Sequence, residues 1–304
     1  MPEPGDNKLG DIRIGISGWR YKPWRGVFYP KGLAQKRELT FAAENFRSVE
    51  INGTFYSLQT PTSFERWAAE TPDDFVFAVK GPRYITHMLK LKNVDAALAN
   101  FFASGIFRLG KKLGPILWQL PPNFGFDPAR LESFFKLLPR NTDDAAKIAR
   151  RHEKWLTKKR TDIEPRTRTK LRHALEIRHP TFLVKEFVDL LRAHNIALVC
   201  ADTVDWPRRM DITSDLVYVR LHGSEVLYAS GYNNHDLDIW ADRVVAWATG
   251  TQPADADSEW ITGHAPRKRA TRDVDVYFDN DAKVRAPFDA KNLIARVAER
   301  IAHQ

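Results

Sequence analysis

Hydrophobic and polar residues follow one another along this chain in short, regularly spaced runs. Most of the gaps between the apolar runs carry apolar residues at helical spacing, as in KRELTFAAENF, FLVKEFVDLLRAHN and LDIWADRVVAWAT. Strands that alternate with helices predict a parallel sheet with helical crossovers. The eight apolar runs, each ending in polar or turn-forming residues as buried strands do, are IRIGISG (12–18), SVEINGT (48–54), FVFAVKG (75–81), PILWQLP (115–121), HALEIRH (173–179), IALVCAD (196–202), LVYVRLHG (216–223) and VDVYFDN (274–280).

Eight strand–helix repeats are the number that closes a (β/α) barrel, so the predicted fold class is α/β with a TIM-like barrel. One gap departs from the pattern. TVDWPRRMDITSD (203–215) is short and contains Pro207, so we expect no crossover helix and an irregular barrel between strands six and seven. An open doubly wound sheet is the alternative, but no G-x-G-x-x-G turn follows the first strand, which disfavours a dinucleotide-binding sheet.

The length of 304 residues fits a single barrel domain. We place this domain at residues 11–301, after a flexible N-terminal tail at 1–10. A basic insertion at about 141–172 separates strands four and five. Within it, RRHEKWLTKKR (150–160) is predicted as a surface helix, whereas TDIEPRTRTK (161–170) is loop-like because of its proline and its poor apolar periodicity.

The formal net charge of +9 is concentrated in this insertion. Eleven Lys and Arg residues stand against five acidic residues between Asp143 and His173. The rest of the chain is therefore close to neutral. A solvated surface explains such a segment, and a contact with nucleic acid or an acidic partner is the alternative.

The targeting and redox signals are few. The start of the chain, MPEPGDNKLGD, lacks the basic residues and apolar run of a signal peptide, and no stretch of about 18 apolar residues follows. We expect a cytoplasmic protein with no membrane partner. The sole cysteine, Cys200, rules out an intrachain disulfide and a cysteine-based zinc site, and its apolar run predicts a buried, inert thiol. No spacing indicates an oligomeric state.

The predicted strands carry charged residues where a barrel turns them inward. Side chains alternate along a strand, so one set packs on the helices while the other faces the barrel axis. Because buried ion pairs contribute little to stability, a binding or catalytic site explains these charges better than a salt-bridge network that only fixes the register of the barrel. The inward set at the strand ends comprises Glu50, Lys80, Glu176, Arg178, Asp202, Arg220, His222 and Asp279.

Several motifs in fixed order resemble one known family. They are SGWRYKPW (17–24), FYP (28–30), VEINGTFY (49–56), FVFAVKGPRYITH (75–87), LGPILWQLPP (113–122), LEIRH (175–179), YVRLHG (218–223) and YFDND (277–281). Together they resemble the YecE-like family, domain of unknown function 72, over nearly the whole chain. The resemblance implies a TIM-barrel-like fold and no established activity. This chain departs from the family pattern at Asp279, where an asparagine is more typical, and in its longer insertion.

The charged set predicts a pocket for a small anionic ligand, with a phosphate or carboxylate held by Lys80, Arg178 and Arg220. Glu50 or Glu176 is the predicted general base and His222 the acid or proton shuttle. The leading hypothesis is a hydrolase or isomerase that uses acid/base chemistry, although the sequence leaves open whether the pocket is catalytic. Glu50, Lys80, Glu176 and His222 are the predicted catalytic residues, and the predicted substrate-binding residues are Trp19, Asn52, Tyr56, Gln119, Arg178, Asp202, Arg220 and Asn280.

Three alternatives remain open at this point. A divalent metal bound by Glu50, Glu176, Asp202 and His222 would suit a metal-dependent phosphodiesterase, since these are hard ligands, although no metal-binding motif supports it. Lys80 at a strand end could form a Schiff base. A nucleic-acid-binding module could use the basic insertion, RKRATR (267–272) and the aromatic and basic first loop, WRYKPWRGVFYPK (19–31). The segment EVLYASGYNNHD (225–236) could close over the pocket as a lid.

Overall fold

The structure is a computed structural model that describes residues 9–223, 227, 230–263, 266 and 268–303. Its eight strands pair in parallel and in chain order, and the first pairs with the last, so the sheet closes into a barrel. The predicted TIM-like barrel is confirmed, and the open doubly wound alternative is wrong. The strands are β1 (Ile12–Ser17), β2 (Ser48–Ile51), β3 (Val76–Lys80), β4 (Leu113–Gln119), β5 (His173–Glu176), β6 (Ala197–Asp202), β7 (Leu216–Leu221) and β8 (Asp273–Phe278).

Helices follow most strands and cover the outside of the barrel. The predicted irregularity is also confirmed, because no helix forms between β6 and β7, where Pro207 and a short connection leave no room for a crossover helix. The helices are α1 (Glu38–Asn45), α2 (Gly53–Tyr56), α3 (Pro61–Ala69), α4 (Asp95–Ala103), α5 (Pro128–Leu137), α6 (Thr142–Ala149), α7 (Lys185–Ala193), α8 (Asn234–Ala248) and α9 (Ala286–Ala302).

Side-chain alternation divides the apolar residues into two layers, as predicted. Val49 and Val219 belong to the larger layer, which lies between the strands and the helices. The smaller layer lies inside the barrel and combines small residues such as Ala78 and Ala174 with the rings of Tyr218 and Tyr277. The interior is therefore packed with side chains at its centre, which leaves the ends of the strands as the place for a cavity.

The basic insertion contains a helix, but not where the sequence predicted it. Asn141 caps α6 by accepting a hydrogen bond from the backbone N–H of Asp144 at 2.9 Å, and acidic residues occupy its first turn. Residues 150–160 form turns and one short 3₁₀ segment, so the surface helix predicted there is wrong. The reason is tertiary, since Asn100 on α4 hydrogen bonds to the backbone and side chain of Glu153 and holds this stretch as a loop.

The insertion lies at the amino ends of the strands, because it connects the end of α5 to the start of β5. Lys170 pairs with Asp215, just before β7, and Asn141 and Lys170 form an isolated backbone bridge. Several of its basic residues form ion pairs with acidic neighbours. Arg168 Nε, for example, lies 3.3 Å from Asp143 Oδ2. The charge of the insertion is therefore partly neutralised.

The aromatic first loop packs on itself and on the barrel. Trp24, Phe28 and Tyr29 are buried in a cluster of ring contacts, and the Trp19 ring meets the edge of Trp67 with centroids 5.3 Å apart. Buried rings cannot stack on nucleotide bases. The rings of Trp19, Trp24, Phe28 and Tyr29 are therefore not available for the stacking that the nucleic-acid alternative requires of this loop.

Some sequence predictions concern residues that the structure describes only in part. The tail at 1–10 and the lid at 225–236 fall mostly or partly outside the described residues, as does Arg267 of the RKRATR segment. Cys200 is buried, as predicted, and burial raises the pKa of its thiol to about 12. Among the described residues, no helix combines the length and the apolar character that a bilayer crossing requires.

The barrel interior depends on a close approach at Gly15. A methyl group on this residue would lie 1.9 Å from the carbonyl oxygen of Ser48 on β2, and neither backbone can move without breaking the pairing of the two strands. We expect Gly15→Ala to lower the free energy of unfolding by at least about 2 kcal/mol, measured by urea denaturation.

Gly53→Ala is the matched control for this prediction. The atom nearest to its added methyl group would be Gln59 Nε2 at 3.5 Å, an ordinary contact. We expect a change within about 0.5 kcal/mol. Equal stabilities for the two variants would contradict the close approach.

Candidate functional site

A cavity of about 760 Å³ opens at the carboxyl ends of the strands, at the end of the barrel where the sequence predicted a pocket. It lies over β1 to β5 and β8. Six predicted site residues line it: Trp19, Asn52, Tyr56, Lys80, Gln119 and Arg178. The sequence prediction missed others, among them Arg20, Tyr21, Phe55, Arg83, His87 and Asp281.

One arginine connects three strands beneath this cavity. Arg220 is fully buried and donates from Nη1 to Glu176 Oε2 at 2.6 Å. Its Nη2 donates to Glu50 Oε1 at 2.9 Å and to Asp279 Oδ2 at 2.8 Å. We call these four residues the ion-pair floor. Apart from Asp279, its members do not line the cavity, because they lie deeper in the barrel than the residues that do.

The carboxyl groups of Glu176 and Asp279 are kept ionised. Burial, the largest single influence, would raise the pKa of both, but Arg220 and the other positive groups around them together outweigh burial and hold both pKa values well below their usual range. The imidazole of His222 contributes in the same direction, with Nδ1 3.1 Å from Asp279 Oδ2. A carboxylate held in this way is a poor proton acceptor at neutral pH.

The predicted general bases have their oxygens occupied. Glu50 accepts hydrogen bonds from Ser17 Oγ and, at 2.6 Å, from the hydroxyl of Tyr218, in addition to the Arg220 contact. Glu176 accepts from Arg178 Nε at 2.8 Å on the oxygen that Arg220 leaves open. Both side chains are fully buried. The structure therefore brings these two residues together as structural anions and places neither on the cavity wall.

Lys80 is the predicted catalytic residue that does face the cavity. Its side chain is 8% exposed, and Nζ lies 4.4 Å from the centroid of the Phe55 ring. Within the described residues, Nζ has no carboxylate within 4.0 Å and no hydrogen-bond acceptor. Burial first and the charge of Arg220 second lower the pKa of this amine to about 8, although Glu50 and Asp279 act against them.

Two titratable residues that the sequence prediction did not assign to the site share the cavity with Lys80. Burial and the negative charge of Asp279 raise the pKa of Asp281 to about 6. Burial and the nearby Arg178 lower the pKa of His87 to about 4, so its ring is neutral at physiological pH. Asp281 closes the YFDND motif after β8, so the alternation that identified Asp279 could have identified it too.

The substrate-binding predictions divide between the cavity and the packing around it. Arg178 lines the cavity, with its guanidinium carbon 4.0 Å from the centroid of the Trp206 ring. Tyr56 is at the rim and is 71% exposed, and Gln119 is a buried part of the wall. Asn52 donates to Ser17 Oγ at 3.1 Å.

Besides Arg220, two predicted substrate-binding residues lie away from the cavity wall. Asp202 accepts a hydrogen bond from Arg208 Nη1 at 2.7 Å. Asn280 is buried and donates from Nδ2 to Asp289 Oδ2 at 2.8 Å and to the Ser230 carbonyl at 2.9 Å. These contacts connect β8 and the loop after β6 to their neighbours.

The predicted metal ligands do not converge. In the parts of the chain that the structure describes, no three His, Cys, Asp or Glu side chains are arranged to hold a metal ion. Asp202 pairs with Arg208, whereas Glu50 and Glu176 pair with Arg220. The geometry gives the metal-dependent alternative no support.

Arg220→Met tests the ion-pair floor. The substitution leaves three buried carboxylates without their shared cation, so we expect the free energy of unfolding at pH 7 to fall by at least about 3–5 kcal/mol. Without the guanidinium, burial raises the carboxyl pKa values in the folded state above those in the unfolded state. The stability of the variant should then rise as the pH falls from 7 to about 5, measured by urea denaturation.

The wild type should behave in the opposite way at acidic pH. Its Glu176 and Asp279 have lowered pKa values, so the stability they contribute is complete above the ordinary pKa values of 4.5 and 3.8 and is lost as the pH falls below them. The exposed pair of Arg47 and Asp74 supplies the control Arg47→Met, which should cost less than about 1 kcal/mol. Parallel pH profiles for Arg220→Met and wild type would contradict the arrangement.

Lys80→Met is expected to stabilise the protein. The folded-state pKa of about 8 lies below the ordinary lysine pKa of 10.5, so the charged amine opposes folding. The gain should be about 1–3 kcal/mol at pH 7. The free-energy cost of the charged Lys80 amine to folding of the wild type is constant below pH 8 and decreases as the pH rises from 8 to 10.5. The stabilities of wild type and variant should therefore converge across that window, and a less stable variant at pH 7 would show that the amine supports the barrel.

Comparisons with known proteins agree with the resemblance seen in the motifs. Residues 13–304 match the family model described as protein of unknown function DUF72. The UPF0759 protein YecE of Escherichia coli strain K12 is 26% identical over 247 residues, which cover 80% of this chain and 84% of that protein. The UPF0759 protein YunF of Bacillus subtilis strain 168 is 30% identical over 118 residues, covering 37% of this chain and 41% of YunF.

Solved structures show the same fold. A DUF72 family protein from Thermotoga maritima MSB8 superposes with a TM-score of 0.68 at 23% identity, covering 97% of this chain and 100% of that one. A DUF72 family protein from Enterococcus faecalis V583 gives a TM-score of 0.65 at 16% identity, covering 94% and 95%. Because the family model matches nearly the whole chain, this chain belongs to the DUF72 family.

Proposed function

We propose that the cavity binds a small anionic molecule and that the protein acts on it by general acid/base chemistry, as a hydrolase or an isomerase. The family has no assigned activity in its description, so the proposal rests on the site alone. The observation that carries it is the charge of the cavity wall. Four basic residues line the cavity (Arg20, Lys80, Arg83 and Arg178) against two acidic ones, Asp279 and Asp281.

The positive charge remains in excess when the ion-pair floor is included. The four basic residues of the wall and Arg220 then stand against four acidic residues, Asp279, Asp281, Glu50 and Glu176. Asp281 has a pKa raised to about 6, which weakens its charge at slightly acidic pH. Arg83 is exposed at the mouth of the cavity. A cavity walled by basic side chains over low-dielectric packing concentrates anions. Phosphate and carboxylate groups are the ligands that guanidinium groups bind best.

The acid/base roles fall to residues that face the cavity. Lys80 and Asp281 have pKa values of about 8 and about 6, on either side of neutral pH, which suits a pair that exchanges protons with a substrate. This assignment retains Lys80 from the sequence prediction. The role of the second proton-exchanging group moves from Glu50, Glu176 and His222 to Asp281, because the three deeper residues are engaged with Arg220 or Asp279.

The nucleic-acid alternative gains no comparable support. The basic insertion is at the amino ends of the strands, and the cavity is at their carboxyl ends. Four of the five rings of the first loop are buried, and the fifth, Tyr21, is partly buried. The basic insertion and the first loop therefore do not form the combined surface of charges and exposed rings that this alternative requires.

Binding of inorganic phosphate tests the proposal. Phosphate should raise the melting temperature of the wild type in a concentration-dependent way, since a ligand that binds only the folded state stabilises it. Arg83→Gln should weaken the apparent affinity about tenfold, the value of one charged hydrogen bond. The measurement is differential scanning fluorimetry, repeated at constant ionic strength.

Arg37→Gln is the matched control, because Arg37 is also exposed and does not line the cavity. It should leave the phosphate effect unchanged. Equal effects of phosphate on wild type and Arg83→Gln would place any binding elsewhere. No effect on the wild type would reject the anionic ligand.

A further inference from the structure

We infer that the amine of Lys80 forms a covalent imine with an aldehyde or ketone that also carries a phosphate or carboxylate. The inference rests on the proposed binding of anions and names the substrate class: a carbonyl compound with an anionic group. The bound anionic group would place the carbonyl carbon near the amine. Such chemistry suits the isomerase branch of the proposed function.

The barrel holds Lys80 firmly at the edge of the cavity. Its backbone pairs with Leu117 on β4, and the next residue, Gly81, donates its N–H to the Leu117 carbonyl at 2.8 Å. Thr54 Oγ1 donates to the Lys80 carbonyl at 2.6 Å. A reactive group on a rigid strand end is positioned without the entropy cost of ordering a loop.

The surroundings of the amine favour its neutral form. Nζ lies against the Phe55 ring, and the positive charge of Arg220 in the ion-pair floor disfavours a second positive charge on the Lys80 amine. With a pKa of about 8, about half of the Lys80 amines are neutral at pH 8, whereas an ordinary lysine is well under 1% neutral there. The neutral amine is the nucleophile.

The other basic residues of the cavity explain why Lys80 is more than an anion ligand. Arg20, Arg83 and Arg178 line the cavity with guanidinium groups, whose geometry suits bidentate contacts to phosphate, so the anion can be held without Lys80. A buried lysine that loses its proton near pH 8 is a weaker anion ligand than these. It is a better nucleophile, and that property distinguishes it from its neighbours.

The reaction step balances with groups of the same cavity. The Nζ lone pair attacks the carbonyl carbon, a C–N bond forms, and the C=O π electrons move to oxygen. A proton shifts from nitrogen to this oxygen and gives a neutral carbinolamine. A second proton, supplied by the Asp281 carboxyl, converts the hydroxyl into water, which leaves as the C–O bond breaks. The products are a protonated imine, water and the Asp281 carboxylate.

Pyridoxal 5′-phosphate is a suitable probe, because it is an aldehyde that carries a phosphate. The wild type is treated with a limiting amount of the probe, reduced with borohydride and mapped by peptide mass spectrometry. We expect Lys80 to carry most of the label, with a labelling rate that rises with pH around a midpoint near 8. Excess inorganic phosphate should suppress the label at least about tenfold by occupying the cavity.

Two variants complete the experiment. Lys80→Arg keeps the positive charge, so it should bind phosphate while losing the label. Lys36→Arg, at an exposed position outside the cavity, should label as the wild type does. Label spread over exposed lysines without enrichment at Lys80 would overturn the inference. The wild-type map and its pH profile provide this answer even if Lys80→Arg does not fold.

The outcomes separate this inference from the function on which it rests. If phosphate stabilises the wild type and Lys80 stays unlabelled, the anion site stands and the imine is wrong. If Lys80 is labelled but phosphate neither stabilises the protein nor protects the amine, the imine stands and the anionic ligand is wrong.

Discussion

The guanidinium of Arg220 is the interaction on which the inside of this barrel depends. It binds carboxylates from β2, β5 and the end of β8, which are far apart in the sequence and meet only because the sheet closes. A buried ion pair of this kind contributes little net stability compared with apolar packing, but any carboxylate left without it would be costly. The interior therefore tolerates its charges only in this one arrangement.

This arrangement separates two kinds of charge that look alike in the sequence. Glu50 and Glu176 are engaged below the cavity, with every oxygen in a hydrogen bond, and act as counter-ions of Arg220. Lys80, at the end of β3, has its amine at the cavity without an acidic partner in the described region. Burial disfavours the charged form of all these groups. The cations around Glu176 and Asp279 reverse its effect on the two carboxylates, whereas burial prevails at Lys80 and lowers the pKa of the amine. The reactive group is thus the Lys80 amine, which no carboxylate of the ion-pair floor contacts in the described region.

How much of the site could be predicted from the sequence follows from the same division. Alternation along each strand correctly placed Glu50, Glu176 and Arg220 inside the barrel, because the period of two is a local property of an extended chain. It could not tell which inward residues reach the cavity, since that depends on depth along the barrel. His87 was not assigned to the site for a related reason: it lies beyond the end of β3, in a helical turn at Tyr84–Met88, where the period of two does not apply.

What the sequence by itself determined is the succession of strands and helices, the closure of eight repeats into a barrel, the missing helix after β6 and the inward or outward direction of the strand side chains. These depend on local sterics and hydrophobic periodicity. Only the tertiary structure decided that Arg220 would pair with the predicted bases, that the first loop would bury most of its rings, and that the helix of the insertion would form at Thr142–Ala149. Each of these depends on contacts between residues distant in sequence, whose energies no local pattern records.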